Sequence, residues 1–346
     1  MADILITSEG ALGHIKLSRP RALNALSLEM IDDIATALTH FAEAPEIAAV
    51  LITGDGERGL CAGGDIRALY DRREDGVEYG MHYFHQEYRM NYQISAFKKP
   101  YIAFMDGITM GGGVGVSAHG TIRVVTERTR LAMPETGIGF FPDVGASWLL
   151  PRAPGQLGTY LALTGQNIGG ADAIFTGLAD YFIESSALPD LKQKLTSLSP
   201  NTALETIQSI ISSMAAIKTA PLASYADEIN KCFCFDTVEE ILSELSKSNT
   251  DFAKETLSTL EQKSPTSLKV TLRLVRLGQK SENLQVCLQR EYAACLQVLK
   301  SHDFYEGVRA AIVDKDRQPH WNPKQLEDVS EENLDTYFAP QQSKLF

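Results

Sequence analysis

The apolar pattern along the first half of this chain switches repeatedly between two periods. Residues 3–8 and 12–18 read as a strand pair about a turn at Gly10, and Pro20 stops the second strand. Ser27 then stands where a helix cap belongs. Behind it Met30, Ile31, Ile34, Leu38 and Phe41 recur at helical spacing, and Pro45 ends that helix. The apolar run of residues 48–52 leads into a strand at residues 50–53. Residues 100–105 form a second apolar run, followed by a glycine run, a short helix of small residues and a further strand at residues 122–125. Residues 70–97 are polar and aromatic and read as a helix carrying His82 and His85. Strand, helix, strand and glycine turn repeat in that order, which predicts an α/β architecture with largely parallel pairing. Periodicity alone does not separate a spiral of such units from a doubly wound sheet.

Beyond residue 185 the composition shifts and the helical period continues to the end. The expected helices cover residues 204–217, a segment opening at Asp236 with Glu239 completing a capping box, residues 268–277 and residues 284–299. The chain is therefore expected to divide into residues 1–195 and a helical region, residues 196–346.

Composition narrows the classes. The chain has 346 residues and 44% hydrophobic residues, ordinary for a globular protein of one or two domains. No run reaches the ~18 apolar residues of a membrane helix. Residues 1–5 lack a basic-then-apolar leader pattern, so a cytoplasmic location is expected. The net charge of −12 argues against nucleic acid as a partner. The cysteines, at positions 61, 232, 234, 287 and 295, are five in number and lack a paired spacing. Neither a disulfide framework nor a zinc site is expected, and Cys232 and Cys234 read as buried thiols. His82 and His85 have no further ligand at a convincing spacing, so no metal is expected.

The glycine run Gly111-Gly112-Gly113-Val114-Gly115-Val116-Ser117-Ala118 carries the first chemistry. Glycine lets the backbone approach a ligand closely, and N–H groups at a helix start point outward and favour negative charge. A dinucleotide fingerprint fits poorly. The strand-helix-strand unit is short, and the acidic residue closing it, Glu127, comes 14 positions after Gly113 where about 20 are wanted. A nucleophile elbow misses by one residue, so Ser117 reads as a packed helix residue. An oxyanion hole needs a second donor, and Leu60-Cys61-Ala62-Gly63-Gly64-Asp65-Ile66 offers one on another strand-to-helix turn.

At these residues the chain resembles the crotonase (enoyl-CoA hydratase/isomerase) superfamily. The resemblance rests on Arg19-Pro20-Arg21-Ala22-Leu23-Asn24-Ala25-Leu26, on residues 61–66 and 107–115, and on Pro134-Glu135 with its sequel. It implies a spiral of ββα units and a coenzyme A ester as substrate. The implied oxyanion donors are the backbone N–H groups of Gly64 and Gly112, with Gly111 and Asp65 at the same binding turns. No cofactor is implied beyond the CoA of the substrate. Attraction to that anion must be local, with Arg19, Arg21, Lys98 and Lys99 as candidates beside the reading that they are ordinary solvated residues.

The stretch Met133-Pro134-Glu135-Thr136-Gly137-Ile138-Gly139-Phe140-Phe141-Pro142-Asp143-Val144-Gly145 holds two carboxylates in apolar, glycine-rich surroundings. Desolvation there would raise their pKa, which suits acid–base work. The plainer reading makes both caps, and Asp143 before Val144 looks like an N-cap. By resemblance Glu135 matches a catalytic glutamate of the superfamily. Asp143 in Phe141-Pro142-Asp143-Val144-Gly145 resembles the 3-hydroxyisobutyryl-CoA hydrolase branch. Glu87 falls where that branch places a carboxylate near the acyl group; alone, it reads as a solvated face. The hydratase branch has a second catalytic glutamate after its glycine run, where this chain has Gly115. The segments Phe304-Tyr305-Glu306-Gly307-Val308-Arg309-Ala310 and Pro319-His320-Trp321-Asn322-Pro323 again resemble the hydrolase branch, where this region covers the substrate and makes subunit contacts, so a homo-oligomer is implied. The resemblance thus implies hydrolysis of 3-hydroxyisobutyryl-CoA in valine breakdown. An enoyl-CoA hydratase or isomerase, and a silent CoA-binding protein, stay open beside it.

Overall fold

The computed structural model describes residues 2–339 and 344–346. Met1 and residues 340–343, which belong to the two expected regions, lie outside the described residues. The chain forms two compact units. The first takes the residues up to Gly64, Arg89–Ala132 and Asn167–Ala223, and the second Asp65–Tyr88, Met133–Gln166 and the chain from Ser224 onward. The expected division at residue 195 follows composition, whereas these units follow packing. Residues 196–223 pack in the first unit, and two earlier segments belong to the second.

Among the described residues the first unit holds nine strands: β1 (Ile4–Glu9), β2 (Leu12–Leu17), β3 (Ala49–Gly54), β4 (Gly59–Cys61), β5 (Tyr101–Met105), β6 (Ile108–Met110), β7 (Ile122–Val125), β8 (Arg130–Ala132) and β9 (Tyr181–Phe182). One sheet runs in the order β1-β2-β3-β5-β7-β9, and a second in the order β4-β6-β8. The β1–β2 pair is antiparallel and the other pairs of these strands are parallel. β1 and β2 both lie in the first sheet and lead into α1 (Leu28–Glu43). From there each strand pair gives one strand to each sheet, β3 and β4 before α2 (Ile66–Asp71) with α3 (Glu78–Ser95), and β5 and β6 before α4 (Gly112–Gly115). This is the spiral of ββα units that the resemblance implies. The interior strands are parallel and covered, so they read as unbroken apolar runs such as Ala49-Val50-Leu51-Ile52.

Local physics explains the helix ends. Ser27 accepts from the Met30 N–H and caps α1. The helix beginning at residue 204 stops at Ser212, short of residue 217, because the chain turns back to the sheet and the Ala216 N–H donates to the Phe182 carbonyl. With helix Leu188–Thr196 it covers the sheet, packing Leu191, Leu195, Ile207 and Ile211 against Leu51, Ile102, Phe104 and Val124. Two of the basic residues considered for ligand attraction serve the fold instead. Lys99 donates to the carbonyls of Phe41 and Ala44 at the C-terminal end of α1, and Arg19 donates to Ala25 and pairs with Asp3.

The second unit is helical. Helix Pro265–Gln279 packs against the short helices Ala146–Leu149 and Leu157–Thr164, and helix Leu284–Val298 also packs on Ala146–Leu149. Stacked rings of Phe84, Phe140 and Phe141, with Phe304 tilted against Phe140, hold the stretch around residue 140. The capping box is displaced by one residue from its expected place: Thr237 caps and Glu240 completes it, while Asp236 pairs with Arg276. Cys232 is buried as expected; Cys234 is exposed. Among the described residues no helix is long and apolar enough to cross a membrane.

Candidate active site

Chemistry-bearing groups gather at one place in each unit. In the first unit the turn after β4 meets the turn after β6. The Leu26 N–H donates to the Gly63 carbonyl, which fixes the first turn beside Leu26 in a parallel bridge to Gly64. The second turn is tied down by the Gly111 N–H, which donates to Ala132, and Gly111 takes a φ of 49°. The two turns approach so closely at Gly113 that a side chain is excluded there, while at Gly63 it is the φ of 120° that favours glycine. A Cβ on Gly113 would stand 2.3 Å from the Cys61 carbonyl oxygen, and one on Gly63 would lie 3.8 Å from the Gly112 nitrogen.

Ladder and bridge bonds use the neighbours of Gly64 and Gly112. The N–H groups of these two glycines donate to no other group among the described residues. A helix start leaves such donors unpaired by construction. Unpaired N–H groups on two adjoining turns form an arrangement that can receive a developing oxyanion.

The remaining first-unit candidates sort plainly. Ser117 is buried as expected, but it lies in the turn after α4 and not in a helix, because α4 ends at Gly115; its hydroxyl donates to the Gly113 carbonyl at 2.6 Å. Glu127 accepts from the Ser185 N–H and hydroxyl, and α4 is only four residues long, so the dinucleotide reading has no support. Gly115 is buried within α4. Asp65, counted in the second unit, accepts from the Ala68 N–H as the N-cap of α2.

The second unit gathers the carboxylates. Glu87 lies on α3, Glu135 opens the 3-10 turn Glu135–Ile138, and Asp143 precedes helix Ala146–Leu149. Their exposures are 2%, 6% and 5%. These values rule out a solvated face for Glu87. The cap readings fail as well, since neither helix start has a side-chain cap and Gly145, not Asp143, is the N-cap residue. The Asp143 carboxylate instead accepts from the Tyr88 hydroxyl at 2.6 Å, and the Tyr88 oxygen lies 3.1 Å from the Cys295 Sγ.

Burial is the main influence on all three. It pushes Asp143 up to about 7 against the pull of the Tyr88 hydrogen bond. Glu135 is raised well above the usual range by burial, then by the charges of Asp143 and Glu87, and Glu87 by burial and Asp143. The three acids therefore share one field and cannot all ionise together near neutral pH. Glu135 Oε2 and Glu87 Oε1 are buried without a hydrogen-bond partner. Buried polar atoms are normally satisfied, and exceptions concentrate where chemistry is done.

Four contributors are not apparent from motifs: Tyr88, Cys295, Lys263 and Glu291. Lys263 counters the carboxylates. It lines the same turn, 3.4 Å from where a Cβ on Gly137 would stand, and its charge pulls Glu135 down. Burial lowers the Lys263 ammonium itself, while Glu135 raises it. One signal for Glu291 is in the sequence: it occupies the buried stripe of helix Leu284–Val298 beside Leu284, Leu288 and Cys295, where a glutamate is out of place.

The family described as Enoyl-CoA hydratase/isomerase matches residues 12–338. The chain is 43% identical to a protein of Gallus gallus named 3-hydroxyisobutyryl-CoA hydrolase, mitochondrial, over 98% of this chain and 89% of that one. It is 45% identical to the protein of the same name from Xenopus tropicalis, over 97% of this chain and 89% of that one. A solved structure titled carnitinyl-CoA dehydratase, from Mycobacterium thermoresistibile, superposes with a TM-score of 0.95 at 39% identity, covering 100% of this chain and 99% of that one.

Proposed function

The chain belongs to the enoyl-CoA hydratase/isomerase family, and from that premise we propose that it hydrolyses 3-hydroxyisobutyryl-CoA to 3-hydroxyisobutyrate and free CoA. The observation that carries this reading is the carboxylate group of the second unit. Glu87, Glu135 and Asp143 are buried together, and two of them keep an unpartnered oxygen. The position after the glycine run, where hydration needs a second acid, is a buried glycine, Gly115.

Each residue has one task in the proposed reaction. The Gly64 and Gly112 N–H groups receive the thioester oxygen and stabilise the charge that develops on it. Glu135 either attacks the carbonyl carbon, giving a mixed anhydride that water then opens, or takes a proton from the attacking water. The C–S bond breaks in the same acyl transfer. Asp143, titrating near neutral pH, returns a proton to the departing thiolate and with Glu87 meets the 3-hydroxyl. The Lys263 charge works in part against the burial that raises Glu135. The reaction takes no metal or redox partner, and CoA enters as part of the substrate. Valine breakdown is the setting we propose. A cytoplasmic location rests on the first residues alone; the relatives named above are mitochondrial, and cell fractionation tests the point.

The dehydratase title of the similar structure favours a second reading, hydration of an enoyl-CoA. Free thiol measured with 3-hydroxyisobutyryl-CoA, beside enoyl absorbance measured with crotonyl-CoA, separates the two. Thiol release is expected to dominate. Rapid loss of enoyl absorbance without thiol release overturns the hydrolase reading, and neither change leaves only a CoA-binding protein.

A further inference from the structure

The loop that carries Asp143 bends where its side chains resist bending. Val144 has a φ of 51° and Gly145 of 84°, two left-handed residues in succession just before helix Ala146–Leu149. A β-branched residue keeps such a conformation only when its surroundings over-determine it. Glu291 supplies that constraint. Its carboxylate accepts the Gly145 N–H at 2.7 Å, the Ser147 N–H at 3.0 Å and the Ser147 hydroxyl. These are the donors that a helix start leaves unpaired. Glu291 is fully buried, and burial pushes its carboxyl up to about 8 although three donors from one loop pull it down.

The same helix reaches the carboxylate by a second route. Cys295, four residues after Glu291, stands 3.1 Å from the Tyr88 oxygen, and Tyr88 donates to Asp143. Helix Leu284–Val298 thus holds both the backbone behind Asp143 and the hydroxyl in front of it.

We propose that Glu291 is a positioning residue: by clamping Gly145 and Ser147 it fixes the direction of the Asp143 carboxylate. The proposal rests on the reading that Asp143 takes part in thioester hydrolysis. Glu291→Gln is the informative variant. An amide can accept with one end but presents an N–H group to a loop N–H with the other.

The test is a double-mutant cycle with Asp143→Asn, followed by thiol release, by calorimetric affinity for a non-hydrolysable thioether analogue and by thermal melting. Glu291→Gln is expected to lower kcat about tenfold or more in the native background. In the Asp143→Asn background it should cost less than about twofold, with analogue affinity unchanged by Glu291→Gln in either background. An equal loss in both backgrounds means that Glu291 acts elsewhere and overturns the proposal, as does an unchanged kcat. If Glu291→Gln fails to fold, Ser147→Ala, which removes only one hydroxyl donor, is carried through the same cycle with a smaller coupled loss expected. Carbon NMR of the Asp143 carboxyl reads the loop without turnover. Its titration should move in Glu291→Gln, and an unmoved signal overturns the proposal. Failure of the hydrolase reading shows separately, as no thiol release by the unmodified chain.

Discussion

The two units prepare their candidate groups by opposite physics. The first offers backbone N–H groups, at Gly64 and Gly112, whose readiness comes from having no side chain in the way. The second offers side-chain acids, at Glu87, Glu135 and Asp143, whose readiness comes from burial among rings and aliphatic groups. Backbone donors are cheap to arrange, because a strand-to-helix turn leaves them unpaired whatever the surroundings. Buried acids are costly, because desolvation opposes their ionised form and unpartnered oxygens add to the penalty. Glycine positions therefore tolerate little change in shape, and the acid positions little change in charge.

Changing charge without shape is the strongest way to probe that contrast. Glu135→Gln should lower kcat by on the order of 10²–10⁴ if the residue is a general base, and by more if it is the nucleophile. Affinity for the thioether analogue should be retained. A Glu135→Gln enzyme with most of its kcat would make Glu135 structural and move the role to Asp143 or Glu87.

Removing one backbone donor should cost somewhat less. Gly64→Pro deletes the N–H and leaves every carboxylate in place, so a loss of about 10²–10³ in kcat is expected from thiol-release kinetics. Parity with the unmodified enzyme would show that the Gly64 turn does not meet the thioester oxygen.

A third measurement addresses the second unit's selectivity. Esters bearing a 3-hydroxyl should exceed the matching unsubstituted esters by about tenfold or more in kcat/KM, the loss expected when buried polar groups are left without their partner. Equal kcat/KM for butyryl-CoA and 3-hydroxyisobutyryl-CoA would remove Asp143 and Glu87 as hydroxyl partners.

The smallest effect is on stability. Asp143 titrates near 7 in the fold, above an ordinary aspartate near 4, so the fold holds its proton more tightly than the unfolded chain does. That contribution is complete below about pH 4 and is lost as pH rises through 7. Asp143→Asn should therefore raise the melting temperature by more at pH 8 than at pH 5. The difference should be a few degrees, since about 1 kcal/mol moves a chain of 150–250 residues by about 2–4 °C. A gain independent of pH would show that the Asp143 carboxyl does not carry this linkage.

Much of the architecture was legible because it is local. The α1 helix follows from Ser27 and the spacing of Met30, Ile34, Leu38 and Phe41. An α/β architecture with parallel pairing follows from apolar runs alternating with glycine turns, the spiral only from the family resemblance, and the excluded side chain at Gly113 reflects the close approach of two such turns. The burial of Glu87, the hydrogen bond from Tyr88 to Asp143 and the clamp by Glu291 were not legible in this way. Each joins residues 55 to 146 positions apart or depends on what covers a helix face. The same limit governs the units themselves, since composition changes near residue 185 while packing assigns residues 65–88 and 133–166 to the helical unit. Backbone conformation and periodicity are set by neighbours in the chain, so sequence alone determined the α1 helix, the glycine turns and the longer apolar strands, whereas the short strands β4, β6, β8 and β9 were not apparent in it. The protonation of an acid depends on dielectric surroundings and on charges brought close through space, and only the tertiary structure decided those.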